Sequence, residues 1–446
     1  MNKFTKFGVA LLAGVVLTGC SSGENNDSTR SNDDGLIEVT IPSYKTGQNV
    51  GAKLFLGQVE RFNKQYEGKY KINIEEVPQD AYGEQIQQLA QQNQLPAIVH
   101  APGSGSLDNK WFEDVIIEND MYHDLSEWLE KNPNIQDMLI EEFVEFNQLD
   151  NGNLVSVPEY RIRSPFFYYN ETMISPDNEI NQMNLEEFDT FLTENELKIS
   201  FMTGENAWTT GLFWSALIAN LDGGQELLDS AETGRFTDLS NPIVVESITL
   251  LKEYIQNHAT NNAVGAIYAD AANAFMSSSA ALIPNGPWMT VDFAESESDK
   301  WSNNFQGSDV RGTYFPGNIG LRNSEAYGEW IPKSASDSEK ELAEEWLTFL
   351  HQPEEIETAL LLEGGQAPNV ELSDQFFEDL SGDQILTDIM EQTNDDTVFV
   401  PNILDLLPSS VAESDLSRFL PLLINDELTP EEFAEELEKR SIEAVQ

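Results

Sequence analysis

The chain is poor in thiol, imidazole and positive charge. It has one cysteine, four histidines, and 24 lysines and arginines against 78 aspartates and glutamates, a net charge of −54. A single cysteine leaves no pair for a disulfide. His100, His123, His258 and His351 lack the spacing of zinc ligands. The excess of acid argues against nucleic acid or an anionic membrane face as a partner; solubility in a salty or alkaline exterior accounts for it. Beyond the N-terminal stretch no apolar run is long enough to cross a bilayer. G-x-S-x-G, Walker A and Rossmann fingerprints are absent. Acidic segments such as Asn32-Asp33-Asp34-Gly35 lack the EF-hand loop pattern. Carboxylates are so abundant that a glycosidase pair could be picked at will, so their presence decides little.

What is present marks a folded chain: 40% hydrophobic residues, with 24 Phe, 12 Tyr and 8 Trp. A length of 446 residues is too great for one compact core and favours two lobes. Lys3 and Lys6 precede an apolar run from Phe7 to Gly19, too short to span a bilayer and built like a secretory signal. Leu17-Thr18-Gly19-Cys20 resembles the lipobox of bacterial lipoproteins. That resemblance implies cleavage before Cys20 and a diacylglyceryl group on its thiol. One acyl chain holds a protein only marginally, at about 0.8 kcal/mol per buried methylene, so a durable anchor needs more than one chain. From Cys20 to Gly35 no further apolar residue occurs, which reads as a flexible tether.

Residues 36–41 alternate as a strand, Phe55, Val59, Phe62 and Tyr66 recur at helical spacing, and Tyr70, Ile72 and Ile74 alternate again. This is a βαβ unit with right-handed crossover. A polar helix at 81–93 and a buried strand at 95–101 complete an α/β lobe with a largely parallel sheet. Residues 185–258 read as helical, with Asn241 as N-cap and Pro242 at the first helical position before Val244, Ile248, Leu251 and Ile255. Strand signals return at 280–286 and 311–317, and 338–353 is an amphipathic helix ended by Pro353. Thr429-Pro430-Glu431-Glu432 is a capping box.

Four segments, taken together, resemble the extracellular solute-binding proteins of carbohydrate ABC importers, the group that includes maltodextrin-binding proteins. They are LVSVPEYRIRSPFFYYNETM at 154–173, AFMSSSAALIPNGPW at 274–288, YGEWIPKSASDSEKELAEEWLTFLHQPE from Tyr327, and VPNILDLLPSS at 400–410. Departures from the family pattern are the serines at 277–279 in place of a turn glycine, Leu282 in place of a methionine, and Pro96-Ala97 in place of Pro-Asp. The resemblance implies an α/β, two-lobed, type II periplasmic-binding-protein-like fold with a ligand cleft between hinge-connected lobes. It divides the chain into a signal at 1–19, a tether at 20–35, lobe 1 at 36–160 and 317–375, and lobe 2 at 161–316 and 376–446. Hinge passages are expected near 157–163, 312–317 and 371–397.

The function so implied is a monomeric, lipid-anchored receptor on the extracellular face of the cell membrane. It captures a sugar or oligosaccharide and delivers it to ABC permease subunits, without cofactor, metal or bond chemistry. Binding of a peptide, polyamine or metal chelate is the alternative, and a surface glycoside hydrolase a more distant one. A sugar offers apolar C–H faces and a rim of hydroxyls, so its site needs aromatic platforms with polar groups around them. Trp288, after the Pro287 turn at a strand end, is the first platform, and Trp330, Tyr44 and Trp208 are further candidates. Trp214 and Trp346 are assigned to core. Glu159, Tyr160 and Arg161 on the first hinge are expected to reach the ligand from the cleft floor, with Arg163 beside them. The family places Asn369 on a cleft-facing loop; Asn402 is a weaker candidate.

Overall fold

The alternation at the start of the chain forms β1 (Ile37–Ser43), whose Val39 and Ile41 are buried while Thr40 is exposed. It pairs in parallel with β2 (Tyr70–Glu76), Ile37 opposite Tyr70. Between them the helix Ala52–Gln65 buries Phe55, Val59 and Phe62 on the side facing Tyr70, Ile72, Trp346 and Phe349. The computed structural model describes residues 35–47, 49, 51–103, 107–394 and 396–446. The expected signal, Cys20 and all of the tether but Gly35 lie outside the described residues.

A second cluster completes lobe 1, with Tyr44, Tyr82, Ile86, Phe112, Val155 and Trp330 packed together. The strand expected at 95–101 is reduced to a single bridge, Val99 N–H donating to Trp330 O at 3.0 Å and Trp330 N–H returning to Val99 O at 3.1 Å. Pro96 has no N–H to extend the ladder. The helix Asp337–Leu350 starts in a capping box between Ser336 and Glu339 and turns Leu342, Trp346 and Phe349 into the lobe 1 core.

Lobe 2 is built on an antiparallel sheet in which β3 (Phe166–Asn170) lies between β4 (Leu282–Asn285) and β5 (Val310–Thr313). β6 (Ile319–Arg322) and β7 (Val398–Pro401) form a separate parallel pair. The helix Trp208–Asn220 runs through the middle of this lobe, its residues from Thr209 to Ala219 all buried. Its Trp214 indole N–H donates to Ser247 Oγ at 2.8 Å on the helix Pro242–His258, which Asn241 caps as expected. The last helix, Pro430–Val445, opens on the Thr429–Glu432 capping box.

The first hinge passage runs through 157–163. Val157 N–H donates to Glu329 O at 3.0 Å, and Ile162 and Gln366 exchange both backbone hydrogen bonds at 2.8 Å. The second passage was expected at 312–317, but Gly312 and Thr313 belong to β5 and Phe315, Ile319 and Leu321 pack in the lobe 2 core. The reason is a tight reversal in which Phe315 and Ile319 bond each other's backbones, returning the chain to the same lobe. Just beyond Arg322, Asn323 Oδ1 accepts the Arg163 N–H at 2.7 Å, beside the first passage. A third passage joins two helices: Phe376 and Leu380 of Asp374–Leu380 pack with Ile356, Leu360 and Leu386, whereas Ile385 and Ile389 of Gln384–Gln392 pack in the cluster of Val310 and Tyr314.

At the second passage a Cβ on Gly328 would stand 1.8 Å from Val157 O, so only glycine lets the two backbones meet. Gly328→Ala is therefore expected to lower stability by about 1–3 kcal/mol, read as a lower urea midpoint at unchanged slope. An unchanged midpoint would show that the seam yields freely.

Candidate functional site

Three rings meet at one edge of lobe 2. Ala207, in left-handed backbone at φ 55°, turns the chain into the central helix and leaves Trp208 in its first turn. Pro287 starts a 3-10 turn, Pro287–Phe293, that carries Trp288. Tyr268 is the first residue of the helix Tyr268–Met276. Trp208 stacks on Tyr268 with centroids 5.6 Å apart and planes at 18°, and tilts against Trp288 at 5.7 Å and 49°. All three rings keep part of their surface exposed. The Trp288 indole N–H makes no hydrogen bond within the chain, and neither does the buried Thr209 hydroxyl. Burial, with Asp292 nearby, pushes the Tyr268 hydroxyl well above the ordinary tyrosine range, so it stays a neutral donor. Flat apolar faces bordered by uncommitted donors suit a polyhydroxylated ring. A depression of ≈ 650 Å³ lined by Ser240, Pro242, Glu246 and Glu431 shares no residue with this cluster.

Lobe 1 comes up against it. The helix Pro353–Glu363 packs both on Ala52–Gln65 and on the turn that holds Trp288. Gly364, at φ 64°, follows that helix, and a Cβ there would lie 2.2 Å from Pro287 Cβ. Lys53 faces Glu297 at 4.0 Å, and Arg235 pairs with Glu113 at 3.1 Å, each pair joining the two lobes.

The hinge residues are brought to the same place, but they are already engaged. Arg161 is 8% exposed and contacts Glu363 at 3.0 Å, with Glu159 3.7 Å away. Burial by itself would lower its pKa; Tyr160, Glu159 and Glu363 outweigh it and hold the guanidinium above its ordinary value. The Tyr160 ring lies edge-on to His351 at 5.6 Å, and burial pushes its hydroxyl up to about 12. Asn369 is exposed, and its amide donates to Leu139 O at 2.8 Å, tying its loop to lobe 1. The Asn402 carboxamide caps a helical turn and accepts from Ser215 Oγ at 3.0 Å.

Two candidates sit elsewhere. Trp330 is fully buried and Tyr44 is 5% exposed, both inside the lobe 1 core, so neither offers a ring face as a platform. Tyr44 packs edge-on to Tyr82 and His100 at 5.2 and 5.6 Å. His100 itself bridges Ser43 Oγ (Nε2, 2.8 Å) and Glu329 Oε1 (Nδ1, 3.0 Å), a serine–histidine–carboxylate order. Burial lowers the His100 pKa, so the ring is neutral: Nδ1–H donates to Glu329 and Nε2 accepts from Ser43. Ser43 is completely buried, so the relay fastens the end of β1 to residue 329 and presents no nucleophile. Tyr268, the ring that sequence reasoning missed, carries no local signal; its partner Trp208 is 60 residues away.

The profile of the bacterial extracellular solute-binding protein family matches residues 57–375. No curated protein sequence gives a match. Among solved structures, a chitin oligosaccharide binding protein superposes with a TM-score of 0.70 at 15% identity, over 91% of this chain and 98% of its own. A Streptococcus pneumoniae solute-binding protein in complex with the blood group A-trisaccharide gives 0.66 at 16%, over 91% and 99%. A Thermus thermophilus maltotriose binding protein bound with maltotriose gives 0.62 at 15%, over 92% and 100%. Likeness at these identities establishes the fold, the two-lobed type II architecture.

One carboxyl at the hinge is electrostatically strained. Asp405 accepts the Ser324 N–H at 3.1 Å, and burial raises its pKa from 3.8 to about 6. A carboxyl raised in the folded state favours the protonated form, so its contribution to stability is full below pH 4 and is lost as pH rises through 6. Asp405→Asn is expected to raise stability at pH 7 by about 1–3 kcal/mol and to change it little near pH 4. Urea unfolding at the two pH values checks this; an equal shift at both would refute it.

Proposed function

The chain belongs to the bacterial extracellular solute-binding proteins, and from that premise we propose that it captures a sugar or oligosaccharide between its lobes and presents it to an ABC permease. The observation that carries this reading is the Trp208–Tyr268–Trp288 cluster, with its unpaired indole N–H on a turn that packs against the helix Pro353–Glu363 of the other lobe. The solved structures with the same fold include proteins whose names specify chitin oligosaccharide, maltotriose and raffinose. Of the eight residues expected to bind, Trp208 and Trp288 supply the platform. Glu159, Tyr160 and Arg161 shape the hinge wall behind it, and Tyr268 joins the platform as a third ring.

Lobe 1 is assigned to 36–160 and 323–375, and lobe 2 to 161–322 and 376–446, with the core packing of Ile319 and Leu321 as the reason for moving the boundary from 317. Ligand favours the closed arrangement to the extent that it binds that form better. The receptor acts as a monomer and does no bond chemistry; ATP hydrolysis belongs to the partner subunits. It is held at the outer face of the membrane by lipid on Cys20, and among the described residues no helix is long and apolar enough to cross a bilayer.

Titration of tryptophan fluorescence and melting temperature against maltotriose, chitotriose, xylotriose and raffinose tests the reading. One sugar class is expected to raise the melting temperature and stay intact. Trp288→Ala and Trp208→Ala should each weaken binding about tenfold or more, about 1.4 kcal/mol. A flat response to every sugar would refute the carbohydrate reading, and new reducing ends would convert it to a hydrolase. Separately, Cys20→Ser is expected to move the protein from the membrane pellet to the soluble fraction; an unchanged distribution would remove the lipid anchor.

A further inference from the structure

Buried hydroxyls in this protein are mostly committed. Those of Ser43, Ser200, Thr203, Thr210, Ser215 and Ser247 all bond to neighbours within the chain. Thr209 and Ser441 lack a partner within the chain. Ser164 and Ser324, 7% and 4% exposed, lack one too, and so does the Arg163 Nε beside them. All three belong to one seam. The bond from Arg163 N–H to Asn323 Oδ1 sets residues 163–164 against 323–324, where the first and second hinge passages run side by side.

The seam is continuous with the aromatic platform. Gly365, at φ 109°, lies over the Arg163 stem, a Cβ there being 3.7 Å from Arg163 Cγ, while the preceding Gly364 lies against Pro287, next to Trp288. Carboxylates border the same place: Glu159 is 3.8 Å from the Arg163 guanidinium, and Asp405 holds the Ser324 N–H. A charged acid would meet both. A hydroxyl group can donate to the carboxylates and accept from the guanidinium and serine donors at once.

We propose that Ser164, Ser324 and Arg163 form a second ligand subsite on the hinge, which takes the hydroxyl groups of a neutral sugar ring. The proposal rests on the carbohydrate reading above and assigns it a specificity site outside the aromatic platform. Buried donors left unpaired by the wrong ligand discriminate strongly against a ring that lacks the matching hydroxyl.

Isothermal titration of the full chain with its tightest-binding sugar from the same four-member panel, together with melting of the sugar-free protein, tests this. Removing a hydroxyl that has no partner in the fold should not unfold it. Ser164→Ala/Ser324→Ala is therefore expected to raise Kd at least tenfold while the sugar-free melting temperature holds or rises, and Arg163→Met should weaken binding likewise. If the double variant does not fold, the single variants carry the same measurement. A Kd within twofold of wild type, with binding still lost in Trp288→Ala, overturns the subsite and leaves the carbohydrate reading standing. A fall in melting temperature that accompanies the loss of affinity shows a structural role and overturns it as well. Tighter binding of triglucuronate than of any neutral sugar overturns the neutral-ring assignment. Failure of wild type to bind any sugar overturns both readings.

Discussion

The paired backbone hydrogen bonds between Ile162 and Gln366 are the contact on which the rest of the architecture depends. They tie the first hinge passage to the turn after the helix Pro353–Glu363, more than 200 residues away in sequence, and with the bond from Val157 to Glu329 they leave no room for side chains between the paired backbones. Glycine is required for that closeness: Gly328 against Val157, and Gly364 and Gly365 in left-handed backbone over Pro287 and the arginine stems. A junction of a few backbone bonds between two large cores is a place where a small change of angle moves whole lobes, the hinge repertoire of such folds.

Scarcity of cations shapes the joints. With 78 acidic residues the chain repels itself, and several of its few arginines stand where segments distant in sequence must be held. Arg61 grips Glu355 through two bonds at 2.6 and 2.7 Å, linking the first helix to Pro353–Glu363. Arg311 of β5 holds Asp388 on the helix Gln384–Gln392, at 2.6 Å from its Nε. Arg161 holds Glu363 beside the hinge. In each pair the hydrogen bonds or the neighbouring acids keep the guanidinium above its ordinary pKa. Glu355 and Asp388 are the buried partners of more exposed arginines, so removing Arg61 or Arg311 leaves an uncompensated buried carboxylate, at a cost that exceeds what the pair adds to stability.

The proposed site is a division of labour between apolar area and uncommitted donors. In that proposal Trp208, Tyr268 and Trp288 supply the area; the unpaired Trp288 N–H and the seam hydroxyls supply donors that the fold does not use. Elsewhere the same residue types are absorbed. Trp346 gives its N–H to Glu329, Trp214 gives its own to Ser247, and Tyr82 accepts from the His100 backbone. Trp330 is fully buried with its own N–H unpaired, so it is burial of the ring, and not satisfaction of its polar tip, that sets the core tryptophans apart from Trp208 and Trp288.

The sequence by itself determined the local elements and the number of lobes. Period-two and period-3.6 patterns placed β1, the first helix and β2, and Asn241 and Thr429 marked helix starts because a cap acts within its own turn. It also singled out Trp208 and Trp288 as candidates, through the loop before the one and the proline turn before the other, and their rings meet in the structure. Only the tertiary structure decided that Trp330 and Tyr44 lie in the core, that Tyr268 stacks on Trp208, and that Phe315, Ile319 and Leu321 pack in one core. An aromatic residue at a strand end has the same neighbours in sequence whether its ring faces ligand or core. The choice is made by elements packed against it from far along the chain.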